Sequence, residues 1–157
     1  MLSRPGTRPS PVFIVEESAR NWFSAIDEQT DDHHTAIVVA EIDEVEVIGL
    51  AIVGPPRENI LSFYQGPGTI NRELYSLQVD PAWQRRGIGR QLTRSVTAIN
   101  TKQPNPEMLV KVLKINPNVA FYQAMDAILI GEQSYDWHGF QTPELVYCLN
   151  NVGNPNP

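Results

Sequence analysis

The chain is 157 residues long and 41% hydrophobic, the range of one globular domain with a single core. Its formal net charge of −6 argues against a general nucleic-acid binder, which needs a cationic surface, and no apolar run approaches the roughly 20 residues that cross a bilayer. Cys148 is the only cysteine, which excludes an internal disulfide.

Helix-breaking, ladder-poor residues mark Met1 to Pro11 and Asn150 to Pro157 as tails, leaving one domain over 12–149. The first tail lacks the apolar h-region of a secretory signal, so a cytoplasmic protein is expected, in a reducing compartment that suits one thiol. Val15, Ala19, Trp22, Phe23 and Ile26 recur at helical spacing, and an amphipathic helix is predicted over Val15 to Gln29. Thr35 to Glu41 and Val47 to Val53 are rich in β-branched residues and read as an antiparallel hairpin, ended by Gly54-Pro55-Pro56. Arg57 to Asn71 reads as loop with a short strand near Ile60 to Tyr64.

From Arg72 a strand runs through Val79, Pro81 stops it, a helix follows from about Gly87 to Thr101, and a second strand spans Met108 to Leu113. Ile88, Leu92, Val96 and Ile99 give that helix one apolar stripe, as a crossover helix lying on a sheet requires. Asn118 to Met125 reads as a short helix, and Ala127 to Glu132 with Glu144 to Leu149 as a closing antiparallel pair around Trp137-His138-Gly139. The class is mixed α/β with a central β-α-β unit.

Arg85, Arg86, Arg90, Arg94 and Lys102 crowd one segment of an otherwise acidic chain, where an anion would bind. The first N–H groups of a helix have no internal partners and carry the positive end of its dipole, and a phosphate satisfies both. Gly87 and Gly89 permit a tight turn and close approach, although glycines at such a junction also serve simple strand–helix packing. Gly89 is followed by Arg90-Gln91 and not by Lys-Ser/Thr, which excludes a Walker A loop; Leu92 stands where a dinucleotide fingerprint needs its third glycine.

The run Leu77-Gln78-Val79-Asp80-Pro81-Ala82-Trp83-Gln84-Arg85-Arg86-Gly87-Ile88-Gly89-Arg90-Gln91-Leu92 closely resembles motif A of the GCN5-related N-acetyltransferase (GNAT) family. Val112-Leu113-Lys114-Ile115-Asn116-Pro117, leading to Phe121-Tyr122, is similar to the family's following strand, asparagine and helix. The resemblance spans about Thr35 to Leu149, with Asp126 where the family carries glycine. It implies a mostly antiparallel sheet with flanking helices, and acetyl-CoA as cosubstrate. Leu77, Gln78 and Val79 would then offer backbone groups to the pantetheine arm, and Arg85, Arg86, Gly87, Ile88, Gly89 and Arg90 would hold the pyrophosphate. Asn116 would bond pantetheine or cap the helix, and Tyr122 would protonate the departing thiolate or pack in the core.

Strand alternation puts Glu73 on one face with Tyr75, Leu77 and Val79, as a candidate base or a solvated carboxylate. The implied activity is transfer of acetyl from acetyl-CoA to a primary amine of a small molecule or peptide by direct attack; the alternative is an inactive acyl-CoA-binding module. An acidic chain suits a cationic acceptor, no membrane or nucleic-acid partner is expected, and a homodimer stays open. His33 and His34 are adjacent and His138 sits in a turn, which disfavours a metal site, while Cys148 reads as a buried thiol.

Overall fold

The structure is a computed structural model, and it describes residues 12–16, 35–42, 46–57, 70–98 and 107–150. In chain order these form β1 (Val12–Glu16), β2 (Ala36–Ile42), β3 (Glu46–Gly54), β4 (Ile70–Val79), a 3-10 turn at Pro81–Trp83, α1 (Ile88–Ala98), β5 (Glu107–Leu113), α2 (Val119–Gln123), β6 (Ile128–Trp137) and β7 (Phe140–Asn150). Among the described residues seven strands make one sheet in the order β1-β2-β3-β4-β5-β7-β6. Every adjacent pair is antiparallel except β4 with β5, which the α1 crossover makes parallel.

The expected mixed α/β architecture with a central β-α-β unit is therefore present. One correction concerns Val15 and Glu16, which lie in β1 and not in a helix; Val12 to Glu16 pair with Glu41 to Ile37 of β2. The β-branched and aromatic run Val12-Phe13-Ile14-Val15 favours a strand, and the helical spacing that begins at Val15 misassigned its end. Positions 17–29 of that helix, and the strand expected at 60–64, lie outside the described residues. A second correction falls on Gln133 to Pro143, since the sequence reading ends the first closing strand at Glu132 and begins the second at Glu144. These residues belong to a long β6–β7 hairpin, with Gln133 opposite Glu144 and Trp137 opposite Phe140. Their polar, exposed side chains look like loop in sequence, but the two-residue turn His138-Gly139, with φ 50 and 91, closes the strands as a type I′ hairpin.

Alternation along β2 buries Ala36, Val38, Ala40 and Ile42 on the face covered by α1. The helix answers with Ile88, Leu92 and Val96, and Met108, Val110 and Val112 of β5 complete this core. Thr93 and Thr97 are also buried, and each satisfies its hydroxyl on a carbonyl one turn back, Gly89 O at 2.8 Å and Thr93 O at 2.7 Å. The other face of β5 carries Leu109 against Val146 of β7.

The sheet is not closed along its whole length. Parallel pairing of β4 with β5 runs from Ile70↔Glu107 to Leu74↔Val110, and no pair beyond Leu74 follows, although β4 continues beside β3 to Val79. The two strands thus part at a fork whose arms are Tyr75–Val79 and Lys111–Leu113.

Candidate functional site

The backbone of β4 past the fork has two kinds of residue. Asp80 N–H donates to Ile48 O of β3 at 2.8 Å, so by alternation Gln78 turns its backbone groups toward β3 while those of Leu77 and Val79 face the open arm. Of the three residues expected to offer backbone groups, Leu77 and Val79 are so oriented and Gln78 is not. The Val79 carbonyl accepts from Gln84 Nε2 at 3.0 Å, which ties the strand end to the loop that follows.

That loop has an unusual backbone. Asp80 caps the 3-10 turn through Oδ1 to Ala82 N at 2.8 Å; then Arg85 and Gly87 both adopt left-handed conformations, φ 63 and φ 83, before α1 begins at Ile88. A left-handed arginine costs about 1–2 kcal/mol, and alternating handedness turns successive N–H groups into a concavity that suits an anion. A Cβ built on Gly87 meets nothing within 4 Å, so its glycine serves the backbone angle and leaves the space above it open. Gly89 plays a different part: a Cβ there would sit 3.4 Å from the Phe121 ring and 3.8 Å from Val79 Cγ2, pointing into the space between β4 and α2.

The arginines separate. Arg85 and Arg86 are exposed at the loop, and Arg86 is held over the Trp83 ring at 4.8 Å. Arg90, expected to join them at the anion, instead donates from Nη2 to Ala124 O of α2 at 3.3 Å, where the helix C-terminus favours a cation.

α2 is placed by a turn in which Asn116 Oδ1 accepts from Asn118 N at 2.9 Å and Asn116 O from Val119 N at 3.1 Å. Asn116 therefore orders the approach to the helix through its oxygen, while Asn118 takes the cap position. Tyr122 is buried, 9% exposed, and its ring meets Phe121 edge-on at 5.2 Å. Burial pushes its phenol up to about 12, so it stays neutral and able to donate across the ordinary pH range. Asp126 adopts φ 60 and closes α2 as a Schellman motif, with Ala127 N to Tyr122 O and Asp126 N to Gln123 O both at 3.1 Å. The aspartate thus takes the conformation that a glycine would take there more cheaply.

Glu73 departs most from expectation. The β3–β4 register slips between Ile52↔Ser76 and Val53↔Leu74, so β4 carries one extra residue at Tyr75. This bulge breaks the alternation: Leu74 joins the α1-side core beside Leu77 and Val79, and Glu73 faces the opposite side. Its carboxylate is fully buried and not solvated. It accepts from Arg57 N at 2.9 Å, Arg57 Nε at 3.1 Å and Arg57 Nη2 at 2.7 Å, and Lys111 Nζ lies 3.6 Å from Oε2. Arg57 also stacks on the Tyr75 ring at 4.4 Å. Sequence reasoning missed Arg57 altogether; the available signal was a glutamate in an apolar strand, which needs a cation when buried.

No described helix is long and apolar enough to cross a membrane, and the described residues hold no cluster of three metal-ligating side chains. Residues 33–126 match the family model of the acetyltransferase (GNAT) domain. YuaI, an uncharacterised N-acetyltransferase of Bacillus subtilis, is 28% identical over 109 residues, 69% of this chain, and the alignment spans 59% of that relative's length. Among solved structures, Arabidopsis thaliana NAA60 in complex with acetyl-CoA superposes with TM-score 0.64 at 14% identity, covering 92% of this chain and 100% of that one. The spermidine/spermine N-acetyltransferase SpeG from Vibrio cholerae gives 0.56 at 14%, covering 88% and 92%.

Proposed function

The chain belongs to the acetyltransferase (GNAT) domain family, and from that premise we propose that it transfers an acetyl group from acetyl-CoA to a primary amine of a small molecule or peptide by direct attack. The observation that carries the proposal is the fork between β4 and β5 opening toward the left-handed Arg85–Gly87 loop. From Val79 to Tyr75 is four residue steps, about 13 Å of extended strand along which a pantetheine arm would lie as an added strand. Leu77 and Val79 would bond the arm, and the pyrophosphate would occupy the concavity before Ile88, with Arg85 and Arg86 around it.

Acetyl transfer needs a neutral amine, whereas a free alkylamine with pKa near ~10 is mostly protonated at pH 7. Glu73 is poorly free to take that proton directly: three Arg57 donors and the nearby Lys111 ammonium use the roughly four acceptor sites of its carboxylate. We assign the deprotonation to water at the fork and give Glu73 the task of anchoring Arg57. After attack the C–S bond breaks, and the proton lost by the amine ends on the released thiol. A phenol at about 12 is a weaker acid than a thiol near ~8.5, so Tyr122 would serve chiefly as a hydrogen-bond donor to the sulfur as its charge develops.

Coenzyme A and acetyl-CoA, present at ~100 times their dissociation constants, should stabilise the fold by about 2.7 kcal/mol and raise its melting temperature by about 5–10 °C. ATP and NADH at the same concentrations should do much less. A thermal-shift series in which all four stabilise equally would reduce the site to general anion binding.

A further inference from the structure

We infer that the acceptor is an amine that carries its own carboxylate, a small molecule of the amino-acid class, and that Arg57 docks that carboxylate at the fork. The inference rests on the acetyltransferase reading above. It starts from where the acyl end of the cosubstrate would stop: with the pyrophosphate at the Arg85–Gly87 loop, the thioester reaches the last β4–β5 pair, Leu74↔Val110. The side chains that flank this point on the face away from α1 are Glu73 and Tyr75 from β4 and Lys111 from β5, joined by Arg57 from the segment after β3.

Arg57 is built to present a guanidinium. Its backbone N–H and its Nε and Nη2 are anchored on a carboxylate that is completely buried, and its plane rests on Tyr75, whose hydroxyl is itself bonded to Pro55 O. Yet the side chain remains 58% exposed, and among the described residues Nη1 has no partner. A guanidinium immobilised on one edge and open on the other loses little entropy on binding, and its geometry suits a carboxylate.

Charge agrees. Arg57 and Lys111 both flank the Glu73 carboxylate, but of the two only the Arg57 side chain is well exposed, 58% against 7%. Glu144, next along this face of β7, is itself buried and accepts from Gln133 Nε2 at 2.6 Å. A second ammonium on the acceptor, as in a polyamine, would meet the exposed Arg57 guanidinium and be repelled, whereas a carboxylate would be drawn in. The chain's overall acidity suggests a cationic acceptor, but the local field at the fork is the one the acceptor meets.

The test uses the full chain and matched acceptors: α-amino acids, their amides, and the amines left when the carboxylate is removed. Acetyl-CoA affinity is measured first by titration; without binding, the acetyltransferase reading fails and this assignment with it. With binding established, the free acids should be acetylated with kcat/KM about 10²-fold above their amides and decarboxylated amines. Arg57→Gln should abolish that ratio by raising KM for the acids far more than for the amides, with the acetyl-CoA dissociation constant kept, and Arg57→Lys should restore only part of the ratio. A merely structural Arg57 would move acids and amides together. The assignment is overturned if amides or polyamines are turned over as well as the acids, if no acid is acetylated while acetyl-CoA binds, or if Arg57→Gln lowers both classes equally.

Discussion

Tyr122→Phe is expected to lower kcat by about 10²–10³-fold while leaving the acetyl-CoA dissociation constant nearly unchanged. The substitution removes one hydroxyl from a side chain that is 9% exposed and packed edge-on against Phe121, so the ring, its volume and its contacts remain. What is lost is the hydroxyl proposed to donate to the departing sulfur. The pH profile adds a second check. Because burial raises the phenol to about 12, wild-type kcat should show no loss near pH 10, where an exposed tyrosine would ionise and cease to donate. Amine deprotonation can limit the rate at low pH, so the two proteins must be compared where the acceptor is largely neutral. Full kcat for Tyr122→Phe throughout that range would make this tyrosine a packing residue.

Gly89→Glu should weaken acetyl-CoA binding by about 10²-fold or more, read by calorimetric titration. The reason lies in direction as well as charge. A Cβ at position 89 points between Phe121 and Val79, so a longer chain would extend into the space between β4 and α2 and place a carboxylate where the proposed cofactor path runs. Gly89→Ala is the control. Its Cβ would meet Phe121 at 3.4 Å, an ordinary contact, and should change affinity only a few-fold. The glutamate sits in the first turn of α1, where the helix dipole favours an anion, so folding should survive. An unchanged dissociation constant in a folded Gly89→Glu protein would remove the diphosphate from this turn.

The turn before α1 was legible in the sequence because its determinants are local: Gln84 to Gly89 are six consecutive residues whose glycines and following apolar stripe report one turn and one helix start. The β2–β3 hairpin and the β4–α1–β5 unit were legible for the same reason. The orientation of Glu73 was not. It depends on one extra residue at Tyr75, and a bulge leaves no mark in a run such as Arg72-Glu73-Leu74-Tyr75-Ser76. Its partner Arg57 lies 16 residues away beyond an unassigned loop, so no spacing rule joins the two. Arg90 has the composition of an anion ligand but is claimed by Ala124 O, a tertiary contact invisible to a local reading. Val15 belonged to two competing patterns, and pairing with Val38 of β2 decided for the strand.

Free-thiol release from acetyl-CoA, followed across a panel of primary amines with mass spectrometry of the products, tests the account most directly. The account predicts release that depends on the amine and matches N-acetylated product one for one. Saturable acetyl-CoA binding with no amine-dependent thiol release across that panel would contradict it and leave an acyl-CoA-binding module without transfer.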